Sequence, residues 1–141
     1  IIFEPGRSIM GNTGYLLTRI IYIKDTNKIK FIIIDAGMND LMRPALYKAY
    51  HRIIPTKKNR NKVSKLHDFV GPVCETTDKF LTVKSYQKLK EGENLVILDV
   101  GAYGKVLSSN YNLRENSKEV LIKKSKVFQI KKRQSIKDII Q

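Results

Sequence analysis

A mainly β fold with short helices, a sandwich or a barrel, is the class this sequence predicts. Two β-branched runs flank a four-residue turn cluster, and further short apolar runs recur between Gly, Pro and Asn punctuation. No repeat, heptad or low-complexity linker interrupts them, and 141 residues at 42% apolar suffice for one domain with a core.

The elements follow in order. Ile1-Ile2-Phe3 runs into Glu4-Pro5-Gly6-Arg7 and then into a small polar stretch, residues 8–14. A strand that ends in Pro-Gly-Arg and enters a Gly-rich segment can offer backbone N–H groups and a guanidinium to a phosphate. The same tetrapeptide also suits a tight turn with a surface arginine. Residues 14–24 and 29–35 form a hairpin about Asp25-Thr26-Asn27-Lys28. Residues 41–51 are the best short helix, capped by Asn39 or Asp40 with Pro44 in its first turn, which puts Arg43 and Tyr47 on one face. Strands are expected at 66–73, at 95–100 after the turn Glu91-Gly92-Glu93-Asn94, and at 120–122 and 126–131. Ser135 caps a terminal helix through Ile140.

The net charge is +14, and it is concentrated. Residues 48–65 hold seven basic and no acidic side chains, and residues 118–138 hold eight basic and two acidic ones. The first cluster reads as a solvated loop, because no aromatics are interleaved around residues 55–62 to stack bases, and lysines outnumber arginines by 20 to 7. The charge therefore describes a biased surface rather than a nucleic-acid footprint. No apolar stretch approaches the roughly 20 residues of a membrane span. Cys74, the single cysteine, allows no internal disulfide and has no metal-ligand spacing with His51 or His67, so no metal is expected and a reducing, cytoplasmic compartment fits.

Five segments are richer in special residues than folding requires: Glu4 to Arg7; residues 35–47, with Arg43 and Tyr47; Gly71-Pro72-Val73-Cys74-Glu75; Gly101-Ala102-Tyr103-Gly104; and Ser108-Ser109-Asn110-Tyr111-Asn112. Arg43 can fork onto a carboxylate while Tyr47, one turn on, donates to the same group. Cys74 after Gly-Pro suits an exposed loop tip, although a lone cysteine is also a common small buried hydrophobe. Tyr103 has small neighbours that let its ring approach a ligand, and it equally suits a strand.

In order and spacing these segments closely resemble the C-terminal half of the diaminopimelate decarboxylase family, from Glu4 to about Asp138. That family belongs to the alanine-racemase-like class of pyridoxal-phosphate decarboxylases, in which a TIM-barrel domain precedes a β domain. The resemblance implies that residues 1–13 are the end of a truncated barrel domain, with its last strand and cofactor-phosphate loop, and that residues 14–141 are the C-terminal β domain. It implies that Glu4, Pro5, Gly6, Arg7 and Tyr103 contact pyridoxal 5'-phosphate. Arg7, Arg43, Tyr47, Glu75 and Tyr103 would contact meso-diaminopimelate, and Cys74 would be the catalytic proton donor, entering the site of the other subunit of a homodimer. A thiol can act as that acid because it is mostly protonated at neutral pH. Residues 108–112 would support the site and the subunit interface, and Asp35 is structural. Ornithine decarboxylases share the first segment and the surroundings of Cys74, but an ammonium-ended substrate would meet the wrong charge in Arg43. Related alternatives are a decarboxylase of another basic amino acid and a non-catalytic homologue. None of the 20 lysines stands in the family's cofactor-lysine context, so the chain alone is expected to be inactive.

Overall fold

The strongest apolar alternations of the sequence become the centre of one mixed sheet. The computed structural model describes residues 1–140. A one-turn helix α1 (Arg7–Met10) and a 3-10 turn (Gly11–Thr13) lead into strand β1 (Leu16–Asp25) and its partner β2 (Ile29–Ile34), the expected hairpin. Then follow α2 (Arg43–Tyr47), β3 (Ile53–Pro55), β4 (Lys62–Val63), β5 (Leu66–Val70), β6 (Lys79–Val83), β7 (Tyr86–Gln87) and β8 (Asn94–Ile97). After two 3-10 turns, Lys105–Leu107 and Tyr111–Leu113, come β9 (Glu119–Lys123), β10 (Lys126–Lys131) and α3 (Lys137–Ile140).

Six strands form one sheet in the order β3-β8-β1-β2-β5-β6, antiparallel except for the parallel β2–β5 pair, while β4–β7 and β9–β10 are separate ribbons. The core is the inward row Ile20, Ile32, Ile34, Phe69, Leu95 and Ile97, all buried. Each contributes about 1.5–3 kcal/mol relative to exposure. A bulge in β1 between Ile20 and Tyr22 leaves Ile21 unpaired and exposed, and moves the inward face from Thr18 and Ile20 to Ile23. Tyr86 ties the small ribbon to the sheet by donating its hydroxyl to the Ile53 carbonyl at 2.8 Å, and burial pushes that phenol up to about 12.

Five expectations change. The helix expected over 41–51 is confined to Arg43–Tyr47, since Lys48 turns into the left-handed region at φ 53° and closes it. Neither Asn39 nor Asp40 caps it: Met42 holds the cap position, Asn39 accepts from Arg114, and Asp40 accepts from the Gly37 N–H. The basic stretch 48–65 is not one loop, because it contains β3 and β4, paired with β8 and β7. The strand expected over 95–100 ends at Ile97, where the chain bends through Asp99 at φ 62°. Residues 1–5, expected as the end of a strand, have no strand pairing and lie exposed. Strands β6 and β7 carried no anticipating signal. Among the described residues, no helix is long and apolar enough to cross a membrane.

Candidate functional site

Two backbone segments meet to build one wall of the site. The Val100 N–H donates to the Gly14 carbonyl at 3.0 Å and the Gly101 N–H to the Gly11 carbonyl at 2.9 Å, docking the first helix and 3-10 turn onto the loop after β8. The approach is so close that a Cβ on Gly101 would overlap the Met10 carbonyl oxygen, and one on Gly14 would overlap the backbone of Gly101.

This docking opens a cleft of about 420 Å³ whose walls include Arg7, Ser8 and Asn12 from the first segment, Arg43 from α2, and His51 and Asp99 behind it. Two guanidiniums with a hydroxyl and an amide form a donor set that suits the phosphate of a cofactor or the carboxylate of a substrate. The residues present thus fit the phosphate edge of pyridoxal phosphate, while among the described residues no lysine lines the cleft to hold its aldehyde.

His51 is 1% exposed and sits between two groups of fixed polarity. Its Nδ1 lies 2.9 Å from the Leu98 carbonyl, which only accepts, and its Nε2 lies 3.2 Å from Nη1 of Arg43, which only donates. The ring is therefore neutral, donating from Nδ1 and accepting at Nε2. Burial holds its pKa below the usual histidine value and the Arg43 charge pushes the same way, against the Leu98 hydrogen bond and Asp99.

A second group forms on the loop between β5 and β6. Asp78 is 3% exposed; its Oδ1 accepts from the Met38 N–H and its Oδ2 from the Val73 N–H, both at 2.7 Å. Burial pushes the Asp78 carboxyl up, and those two hydrogen bonds oppose the rise. Gly71 stands against that carboxylate, where a Cβ would collide with it. The loop tip so pinned carries Cys74, exposed as a free thiol, and Glu75, whose Oε1 accepts from the Tyr111 hydroxyl at 2.5 Å.

Arg114 anchors the 35–40 segment, whose Met38 N–H is held by Asp78. It donates Nε to Asn39 Oδ1 at 2.9 Å and Nη2 to the Asp35 carbonyl at 2.6 Å, and it approaches Asp40 at 3.9 Å. Asp35 itself accepts from the Thr18 hydroxyl at 2.6 Å and from the Arg19 N–H at 2.8 Å, both contacts holding the hairpin in place.

Of the residues expected at a site, Arg7 and Arg43 come together in the cleft, and Cys74 and Glu75 share a loop that is not among its walls. Tyr47 and Tyr103 are 63% and 51% exposed and also stand outside those walls, Tyr103 at the tip of a turn with φ 56°. Glu4, Pro5 and Gly6 are exposed, and space is open around Gly6. Sequence reasoning missed His51, Asp78 and Arg114 as parts of the site, and no local motif marks them. Tyr111 lay within a segment rich in special residues, but its partner is 36 residues away.

The chain is thus a β domain with a cationic cleft at one edge and a free thiol beside a carboxylate on a pinned loop. Residues 8–101 match the family described as "Pyridoxal-dependent decarboxylase, C-terminal sheet domain", and the chain belongs to that family. It is 48% identical to the diaminopimelate decarboxylase of Aquifex aeolicus over its whole length and 45% identical to that of Methanocaldococcus jannaschii over 99% of it. The chain spans about a third of the length of these relatives, 33% and 32%. Its fold superposes on the crystal structure of the M. jannaschii enzyme with a TM-score of 0.91 at 44% identity, covering 97% of this chain and 31% of that one. It superposes on the Helicobacter pylori enzyme complexed with L-lysine with a TM-score of 0.87 at 41% identity, covering 96% and 33%.

Proposed function

We propose that this chain is the sheet domain of a cytoplasmic diaminopimelate decarboxylase, which converts meso-2,6-diaminopimelate to L-lysine and CO2 with pyridoxal phosphate. On this reading residues 1–13 complete a barrel domain and residues 14–141 are the sheet domain. The observation that carries the proposal is the division of the chemistry. Arg7 and Arg43 share one cleft, while Cys74 and Glu75 project from a loop outside its walls. Such a division suits a homodimer in which each subunit lends its loop to the other's cleft. Exposed Ile1, Ile2 and Phe3, with Ile122, Val127 and Ile130 on the last hairpin, are further apolar surface that suits contact with another domain or subunit. Relatives 40–48% identical carry the diaminopimelate decarboxylase name, and three solved structures of such enzymes hold L-lysine.

Pyridoxal phosphate, when bound, supplies the sink for the electron pair left by the departing carboxylate. Arg7 neutralises anionic charge beside it, with Glu4, Pro5, Gly6 and Tyr103 completing that edge. Arg43 forks onto the distal carboxylate of the substrate, Tyr47 donates to the same head, and Glu75 accepts from its ammonium. Held at the distal end, the substrate turns its other carboxylate toward the reacting centre. The Cys74 thiol then gives the carbon the proton that replaces the lost carboxylate. The isolated chain is expected to be inactive, because none of its 20 lysines stands in the family's cofactor-lysine context.

The test is the full-length enzyme assayed on diaminopimelate and on ornithine. Preference for diaminopimelate supports the reading, and preference for ornithine overturns the role of Arg43. Mixing a Cys74→Ala subunit with one lacking the cofactor lysine should restore activity through hybrid dimers, and no recovery under subunit exchange would overturn the shared site.

A further inference from the structure

His51 has no role in the chemistry described so far, yet it is buried at the root of the cleft and bonded at both ring nitrogens. We infer that His51 is a positioning residue that aims the Arg43 guanidinium at the distal carboxylate, and that its neutral ring makes substrate capture weaken in acid. This rests on the diaminopimelate reading of the cleft.

The argument begins with Arg43. Its helix is five residues long and closes at Lys48, so the helix alone is a poor clamp for a long side chain. A guanidinium has five N–H donors in a plane; tying Nη1 to a buried acceptor fixes that plane and leaves the other edge for a bidentate carboxylate. The acceptor is itself fixed, since the Leu98 carbonyl closes the far side of the ring at 2.9 Å, just before the bend at Asp99 that ends β8. A side chain held on both sides loses little further freedom on binding, which favours affinity.

The pH dependence follows from the charges facing the ring. Arg43 stands against Nε2 and Arg7 shares the cleft; Asp99, whose charge favours protonation, is the one acid among the cleft walls. A proton on Nε2 would turn acceptor into donor, break the bond to Arg43 and set two cations against each other. The guanidinium would swing from its aim without any loss of the fold's main contacts.

In the full-length holoenzyme, His51→Leu removes the acceptor and should raise KM for diaminopimelate and Ki for L-lysine by about tenfold or more, the cost of one charge-assisted hydrogen bond. His51→Gln, whose Oε1 can accept from Arg43 but cannot be protonated, should recover most of that affinity. It should also flatten the rise in lysine Ki expected of the unmodified enzyme in acid, which sets in below the ordinary histidine value because burial lowers the ring's pKa. An independent readout is the 15N spectrum of the His51 ring at neutral pH, expected to report a protonated Nδ1 and a bare Nε2. An Nε2–H tautomer or an imidazolium there overturns the inference, and so does an unchanged pH profile in His51→Gln. Should the variants fail to fold, the ring spectrum of the unmodified protein still decides. If the unmodified enzyme neither turns over diaminopimelate nor binds lysine, the functional reading fails, while the ring state still reports on the positioning contact alone.

Discussion

The hydroxyl of Tyr111 donates to Oε1 of Glu75 at 2.5 Å, joining a 3-10 turn near the end of the chain to the loop that carries the only thiol. The hydrogen bond to Glu75, and then the carboxylate's charge, push the phenol above its usual pKa, so the Tyr111 hydroxyl keeps the proton it donates across the neutral range. Tyr111→Phe should therefore free Glu75 to sample other rotamers. The expected result is a KM for diaminopimelate raised about three- to tenfold with a smaller change in kcat, by steady-state assay of the full-length enzyme. An unchanged KM would show that Glu75 needs no such support.

Asp78 holds the same loop from beneath, with one carboxylate oxygen on Met38 and the other on Val73. Asp78→Asn keeps the shape but turns one acceptor into a donor facing an N–H. The expected cost is about 2–4 kcal/mol in denaturant unfolding, since a buried donor is left without a partner. A loss below about 1 kcal/mol would mean that the loop re-pairs locally.

Gly101 has no room for a side chain beside the Met10 carbonyl. Gly101→Ala should push the first helix off the loop after β8, costing about 1–3 kcal/mol and weakening cofactor uptake through displacement of Arg7. Thermal unfolding and cofactor titration check the two effects separately, and normal behaviour in both would rule out the docking as a constraint.

Buried titratable groups should make the fold's stability depend on pH, each with a defined sign. His51 and His67 are both held below the ordinary value of 6.5, chiefly by burial. The unfolded chain binds their protons more readily, so their stabilisation is complete above 6.5 and is lost as pH falls through the lowered folded values. Asp40 and Asp78 are raised from 3.8, again chiefly by burial, and carry the opposite sign: their contribution is complete below 3.8 and lost as pH rises through the folded values. As pH falls from 7.5 to 5 the histidines therefore lower the unfolding midpoint while the carboxylates raise it, and His67→Gln isolates the histidine part: its midpoint should fall less, or rise more, over this range than that of the unmodified protein. Identical slopes in the two proteins would contradict a buried neutral His67.

The β1–β2 hairpin was legible because its signals are local: two β-branched runs, a turn cluster, and a register fixed by neighbouring residues. The helix of Arg43 and Tyr47 was legible in place but not in length, for its end is set by the left-handed turn at Lys48, which a lysine does not advertise. Strands β3, β4, β6 and β7 escaped because they are two to five residues long, too short for an alternation to emerge from the sequence, and they exist through pairing with distant partners.

The division between local and long-range information runs through the site as well. The order of amino acids along the chain, through its resemblance to a known family, put forward Arg7, Arg43, Tyr47, Cys74, Glu75 and Tyr103 as candidate site residues. Which of them meet depended on the folded chain. The contact of Gly14 with Gly101 sets Arg7 beside Arg43, and the bend at Asp99 puts the Leu98 carbonyl against His51. Asp78 carries Cys74 away from the walls of that cleft on a pinned loop. Those relations join residues as far apart in the order of the chain as Gly14 and Gly101. Only packing, which closes such distances by burying the sheet's apolar face and pairing every strand, brings them into being.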